Sequence, residues 1–162
     1  MKVAVIADTH LPRGSRHLPA ECVARLRVVD LILHAGDHSS LDSLEELRAL
    51  GPPVEAVCGN VDEQALREAL PKELVVTADG IRIGLTHVPG PRTEREAGLV
   101  ARFPGCAAVA YGHTHTPQMQ LHEGVWILNP GSPTERRRSP DRTMLELTIR
   151  GGVIEPDLID LA

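Results

Sequence analysis

A chain of 162 residues favours one domain, and a domain of that size buries roughly 70% of the surface its unfolded chain exposes, so it needs no disulfide framework to fold. Three widely spaced cysteines (Cys22, Cys58 and Cys106), odd in number and without a C-x-x-C pair, point to a reduced, cytoplasmic protein. The net charge of −5, with one Trp, one Tyr and one Phe, disfavours nucleic-acid binding, which rests on Lys and Arg meeting phosphates and on aromatic stacking.

Lys2 follows Met1 and leads into the apolar run 3–7, which is too short for a secretory core; no later segment approaches a membrane span. Residues 3–7 read as a strand buried on both faces. A helix is expected over 18–29, with Val23, Leu26 and Val29 at turn spacing, and a strand over 31–33. Ser39 and Ser40 can cap a helix over 41–50, which Gly51-Pro52-Pro53 ends. A third strand covers 54–58. Asp62 is placed to cap a short helix over 63–70, stopped by Pro71. Asp79-Gly80 then marks a hairpin between strands 73–78 and 81–86. A helix over 93–103 precedes a strand over 107–111. Hairpins follow at 118–122 with 125–128, and at 143–149 with 153–159. The intervening segment 129–141, rich in Pro, Ser and Arg, reads as a surface loop. A β-α-β-α-β half followed by a hairpin-rich half implies an α/β protein of two packed mixed β-sheets flanked by helices, an α/β/β/α sandwich in one domain over 1–162.

Polar residues of one chemical kind follow five of these strands: Asp8-Thr9-His10, Gly36-Asp37, Gly59-Asn60, His87 and Gly112-His113-Thr114-His115. Ligands of α/β sheets bind beyond the carboxyl ends of parallel strands. The glycines before Asp37, Asn60 and His113 suit the tight turns needed there. His113 and His115 can share one face of an extended segment. Each cluster alone is ordinary loop chemistry; five on one sheet edge make a site. Imidazole, carboxylate and amide oxygen without thiolate suit Mn, Fe, Ni, Co or Zn in a non-structural centre. Seven ligands exceed the need of one ion, so Asp8, His10, Asp37, Asn60, His87, His113 and His115 divide between two divalent metals. Such a pair can activate a water and hold a phosphoryl oxygen. Two dications would also reverse the acidic field locally and leave room for an anionic substrate.

The string Asp8-x-His10, Gly36-Asp37, Gly59-Asn60-x-Asp62, Thr86-His87 and Gly112-His113-x-His115 resembles the calcineurin-like metallophosphoesterase superfamily. With Asn129-Pro130-Gly131-Ser132, it is similar to the small phosphodiesterases of the YfcE type, which are related to the retromer subunit Vps29. The resemblance implies one metal held by Asp8, His10, Asp37 and His115, and a second held by Asp37, Asn60, His87 and His113. Asp37 would bridge, and a metal-bridging hydroxide would attack a small phosphate ester. Manganese is the first choice of ion, with Ni, Fe, Co or Zn as alternatives. Where many relatives carry a histidine beside the asparagine, this chain has Val61, which leaves the leaving-group proton donor unassigned. Val88-Pro89 likewise replaces part of a His-Gly-His segment.

His17, His34, His38 and His122 read as structural or solvated, although His38, next to Asp37, could reach substrate. Arg13 and Arg16 are phosphate candidates; Arg136-Arg137-Arg138 reads as a solvated charged loop. Two other functions compete with a phosphodiesterase: a Vps29-like protein-binding scaffold, and a nuclease, against which charge and aromatic content weigh. No membrane partner is expected, and a homo-oligomer is left open.

Overall fold

The computed structural model describes residues 1–13, 16–137 and 139–161. Its order is β1 (Lys2–Ile6), α1 (Ala20–Leu26), β2 (Leu31–His34), α2 (Leu41–Arg48), β3 (Val54–Ala56), α3 (Gln64–Ala69), β4 (Glu73–Ala78), β5 (Ile81–Thr86), α4 (Arg95–Arg102), β6 (Ala108–Tyr111), β7 (Gln118–His122), β8 (Val125–Asn129), β9 (Arg142–Arg150) and β10 (Val153–Leu161). Two five-stranded mixed sheets result, in the orders β10-β9-β1-β2-β3 and β4-β5-β6-β8-β7. Strands β1, β2 and β3 run parallel, as do β5, β6 and β8.

The apolar pattern accounts for the layers. Alternate side chains of a strand face opposite ways. Val3 and Val5 of β1 join Leu31 and Leu33 of β2 against Ile83, Leu85, Ala108 and Ala110 of the other sheet. Ala4, Ile6 and Ile32 face outward, where Cys22 and Leu26 of α1 and Leu47 of α2 cover them. The outer face of the second sheet, Val109, Tyr111 and Ile127, is covered by Leu99 and Phe103 at α4. Helices therefore lie outside both sheets, and the main core lies between them. Buried aliphatic side chains of this kind contribute roughly 1.5–3 kcal/mol each.

Every expected strand and helix forms, with shifts at the ends. Helix α1 begins at Ala20 because Pro19 holds an extended ψ of 144°. Ser40 caps α2, its side chain accepting the Ser43 N–H at 3.2 Å. Asp62 does not cap α3; Glu63 occupies that position without a capping bond, its carboxylate accepting the Leu41 N–H at 2.7 Å instead. The Asp62 carboxylate instead accepts N–H bonds from Ser39 at 2.7 Å and Gly59 at 2.6 Å, tying the turn after β2 to the turn after β3. Segment 129–141 is not simply a surface loop: residues 129–135 are buried. Their polar side chains find partners inside, so the Pro and Ser content that suggested exposure serves a tight internal turn.

Candidate metal centre

The parallel strands of both sheets deliver their following residues to one place. After β1 and β2 the backbone ladder continues: Asp8 N–H donates to Gly36 O, and His10 N–H to Asp37 O, both at 3.0 Å. This lays Asp8 and His10 beside Asp37. Gly36 turns there with φ of +89°, a conformation side chains rarely adopt. Gly59 has a different reason: a Cβ at this position would lie 2.0 Å from Asp37 Oδ1 and 2.2 Å from its backbone nitrogen. The glycine lets the turn after β3 close onto Asp37, whose Oδ1 accepts the Val61 N–H at 3.0 Å.

Two groups of side chains converge. Asp8, His10 and His115 form one, and Asp8, Asp37 and His87 the other, with the ligand atoms of each group within 4.8 Å of one another. His115 Nε2 is 3.2 Å from Asp8 Oδ1 and 3.3 Å from His10 Nε2. Asp8 is the member common to both groups; Asp37 Oδ2, in the second, stands 3.2 Å from His87 Nε2 and 3.8 Å from His10 Nε2 of the first. Asn60 Oδ1 lies 2.9 Å from His87 Nε2 and 3.0 Å from His113 Nδ1. All seven expected residues are thus in one cluster. His113 and His115 do not share a face of an extended segment. Both have positive φ (71° and 56°), and the kinked backbone sends one ring to Asn60 and the other to Asp8.

Five of the seven, Asp8, His10, Asp37, His113 and His115, sit in the left-handed region. For residues other than glycine this costs on the order of 1 kcal/mol or more apiece, and such strain gathers at functional sites. The buried Asp8 Oδ1 has no hydrogen-bond partner although it faces two imidazole nitrogens. His87 donates Nδ1–H to the buried Ala35 carbonyl at 2.8 Å, since a carbonyl can only accept, which directs its Nε2 toward Asp37 and Asn60. Buried lone pairs converging without donors are what a cation satisfies, so these residues fit a metal pair.

The charges agree. Burial holds His10 and His113 below the usual histidine value, which keeps their rings neutral and able to ligate. Burial also works against charge on His87, but the Asp37 hydrogen bond and the charges of Asp8 and Asp37 outweigh it and raise its pKa. For Asp37, burial is outweighed by its bonds to His87 and to the Val61 N–H, and its pKa is lowered.

Residues 1–152 match the calcineurin-like phosphoesterase superfamily domain. The chain belongs to this superfamily. A probable metallophosphoesterase from Methanothermobacter thermautotrophicus is 36% identical over 162 positions, covering 98% of this chain and 92% of that protein. Wild-type Vps29 from Entamoeba histolytica, solved in complex with zinc, superposes with a TM-score of 0.77 at 25% identity, over 100% of both chains. An archaeal phosphodiesterase shares the fold, with a TM-score of 0.74 at 21% identity over 98% of this chain and 100% of that one. Fold and paired clusters together support dimetal-dependent phosphoesterase chemistry in general. No helix among the described residues is long and apolar enough to cross a membrane.

The sequence pattern missed the supports of this centre. Asn129, at the end of β8, donates to Gly112 O and Thr114 Oγ1, both at 3.1 Å, and accepts the Gly131 N–H at 2.8 Å. Ser132 Oγ donates to Asp8 O at 2.8 Å, and Thr134 Oγ1 to Thr9 O at 2.8 Å. The Asn-Pro-Gly-Ser turn therefore clamps the loops after β1 and β6. Glu135, buried, was not expected at all; its Oε2 stands 3.5 Å from His115 Nδ1. Burial would raise its pKa, but Arg16, His10 and Arg137 lower it. Arg13 and Arg16, expected to meet phosphate, pair with Glu135 instead, as does Arg137 at 2.7 Å. Arg138 lies outside the described residues. His38 does not reach toward substrate: it is buried, stacked on His34 at 3.6 Å, and donates to Val57 O at 3.2 Å. His34 in turn accepts the Gly36 N–H on Nδ1, so its Nε2–H donates to Thr9 Oγ1 at 3.0 Å. His17 is exposed and His122 half-buried, in keeping with solvated roles.

Proposed function

We propose that this chain is a phosphodiesterase of the small YfcE-type branch, one domain over its whole length, acting in the cytoplasm on a small phosphate ester. The observation that carries this is the buried, unpartnered Asp8 Oδ1 facing two imidazoles, next to Asp37, whose Oδ2 faces His87 and His10. Asp8, His10, Asp37 and His115 would hold one ion, and Asp37, Asn60, His87 and His113 the other. Bound there, two divalent ions, Mn²⁺ first among them, would activate a water and neutralise the phosphoryl oxygens for in-line attack.

The chain's own groups set the rest. The Ala35 carbonyl orients His87, the Val61 N–H fixes Asp37, and the Glu135 carboxylate sets a negative charge 3.5 Å from His115 Nδ1 without a hydrogen bond to it. The Val61 side chain is 51% exposed and carries no proton, so nothing at that position can protonate the leaving oxygen. Esters with acidic leaving groups should therefore be the best substrates. The zinc complex of the Entamoeba relative supports metal binding on this fold.

Purified protein given Mn²⁺ should hydrolyse bis(p-nitrophenyl) phosphate and stop on addition of a chelator. Asp37→Asn, which weakens both ion sites, should cut turnover by at least about 100-fold. Turnover by wild type no higher than by Asp37→Asn, across Mn, Ni, Fe, Co and Zn, would sink the enzyme assignment.

A further inference from the structure

A groove of about 940 Å³ opens from His113 and runs away from the clustered ligands. Arg92, Arg95 and Arg137 line it with Tyr111, and its one carboxylate, Glu96, is engaged by Gln118 Nε2 at 2.8 Å. Arg137 is already paired with Glu135, but two further guanidinium groups in one groove run against the sign of a chain whose net charge is −5. Arg92 and Arg95 enter no ion pair among the described residues, and Nε of Arg95 is buried without a hydrogen-bond partner. Arg95 is laid over the Tyr111 ring at 5.6 Å from its centroid, and Tyr111 is itself buried. The surface is therefore suited to an anion, since guanidinium forks match carboxylate and phosphate oxygens.

We propose that this groove seats an anionic arm of the substrate: a phosphate or carboxylate carried on the ester substituent, beyond the phosphorus that is attacked. This rests on the phosphoesterase assignment and deepens it. His113 belongs both to the ligand cluster and to the groove wall, so a substrate anchored at the cluster projects one substituent along the arginines. The size of the groove, at the upper end of small-molecule sites, exceeds what a bare phosphate occupies.

The test uses three p-nitrophenyl alkyl phosphodiesters whose three-carbon arm ends in phosphate, carboxylate or hydroxyl. With Mn²⁺, kcat/KM for one or both charged arms should exceed that for the hydroxyl arm by at least about tenfold, because hydrogen bonds to charged partners are worth that much. The comparison of phosphate with carboxylate names the arm. In Arg95→Gln, and separately in the exposed Arg92→Gln, this ratio should collapse toward one. Arg48→Gln, on α2 and paired with Glu45, should keep it. Hydrolysis of all three diesters at equal rates, or an advantage that survives both substitutions, overturns the subsite while leaving the phosphoesterase standing. A second readout needs no turnover: 3-phosphonopropionate added to metal-free protein should shift the side-chain Nε–Hε resonances of Arg92 and Arg95. If none of the diesters is cleaved, the phosphoesterase assignment fails, and unmoved arginine resonances then reject the groove on their own.

Discussion

Gly59→Ala isolates one contact of the centre. The added Cβ would sit 2.0 Å from Asp37 Oδ1, 2.7 Å from its Cγ and 2.2 Å from its backbone nitrogen. A carboxylate can rotate away, but the backbone nitrogen cannot, so the turn after β3 must lift off Asp37. Overpacking of this kind costs about 1–3 kcal/mol. For a chain of this size each kcal/mol lowers Tm by about 2–4 °C, so a drop of about 2–12 °C is expected. The metal response should change as well. An ion at 100 times its Kd stabilises the native state by about 2.7 kcal/mol. A displaced Asp37 should erase most of that gain. Gly98→Ala is the matched control: in α4 the same Cβ meets nothing within 4 Å, and relief of the glycine penalty should stabilise by about 0.5–1 kcal/mol. Thermal unfolding with chelator and with Mn²⁺ measures all four quantities. Gly59→Ala melting at or above wild type with its Mn²⁺ shift intact would refute the crowding argument.

Glu135→Gln removes the carboxylate beside His115 and leaves Arg13, Arg16 and Arg137 without their shared partner. Divalent affinity, titrated by calorimetry, should weaken by up to about 10-fold, and an unchanged Kd would reject a part for the Glu135 charge in the centre. Burial and neighbouring imidazoles push His34 well below the usual histidine value, and burial lowers His38 as well. The unfolded chain then binds protons near pH 6.5 that the native chain refuses. Metal-free stability should fall as pH drops below about 6.5, by up to about 1.4 kcal/mol per pH unit for each such ring. His87, raised, works the other way: its stabilisation is present below the unfolded value and lost as pH climbs through the folded one. Urea midpoints at pH 7.5, 6.5 and 5.5 should decrease in that order, less steeply in His34→Gln; a flat series would contradict this. Burial pushes the Cys22 thiol up to about 12 and raises Cys58 and Cys106. Ellman's reagent at pH 8 should meet little reaction in the native protein and three thiols in urea, and rapid native labelling would count against these environments.

How far this architecture could be read from the chain depended on the range of the interactions. The central strands were readable because both their faces are buried, so apolar runs such as 3–7 and 107–111 stand out against polar turns. Hairpin Glu73–Ala78 with Ile81–Thr86 was readable to the residue because Asp79-Gly80 is a local turn signal. Helix ends moved where a local cue competed with a distant one: Asp62 looks like a cap, but Ser39 and Gly59 hold its carboxylate. The clustered residues were readable because strand ends place them, and the family resemblance is what proposes their division between two ions. Their supports were not. Glu135 meets His115 across twenty residues and pairs with arginines 119 and 122 positions away. Nothing in spacing reports such a meeting. The Asn129-Pro130-Gly131-Ser132 turn was the one available signal, and its composition resembles an exposed loop.

Backbone strain explains why that turn is built as it is. Five residues of the cluster hold left-handed conformations, and one buried carboxylate oxygen is without a donor. Left alone, the loops after β1 and β6 would relax toward ordinary dihedrals and spread the ligands. Each is restrained by bonds made outside itself: Asp8 O by Ser132, Thr9 O by Thr134, and Gly112 O by Asn129. The His113 N–H is in turn held by Asp8 Oδ2 at 2.9 Å. One short segment after β8 thus holds loops from both sheets in a geometry that neither sequence stretch prefers. The strain is offset by fixed hydrogen bonds that come from outside the strained loops, which is why one segment after β8 carries so many of them.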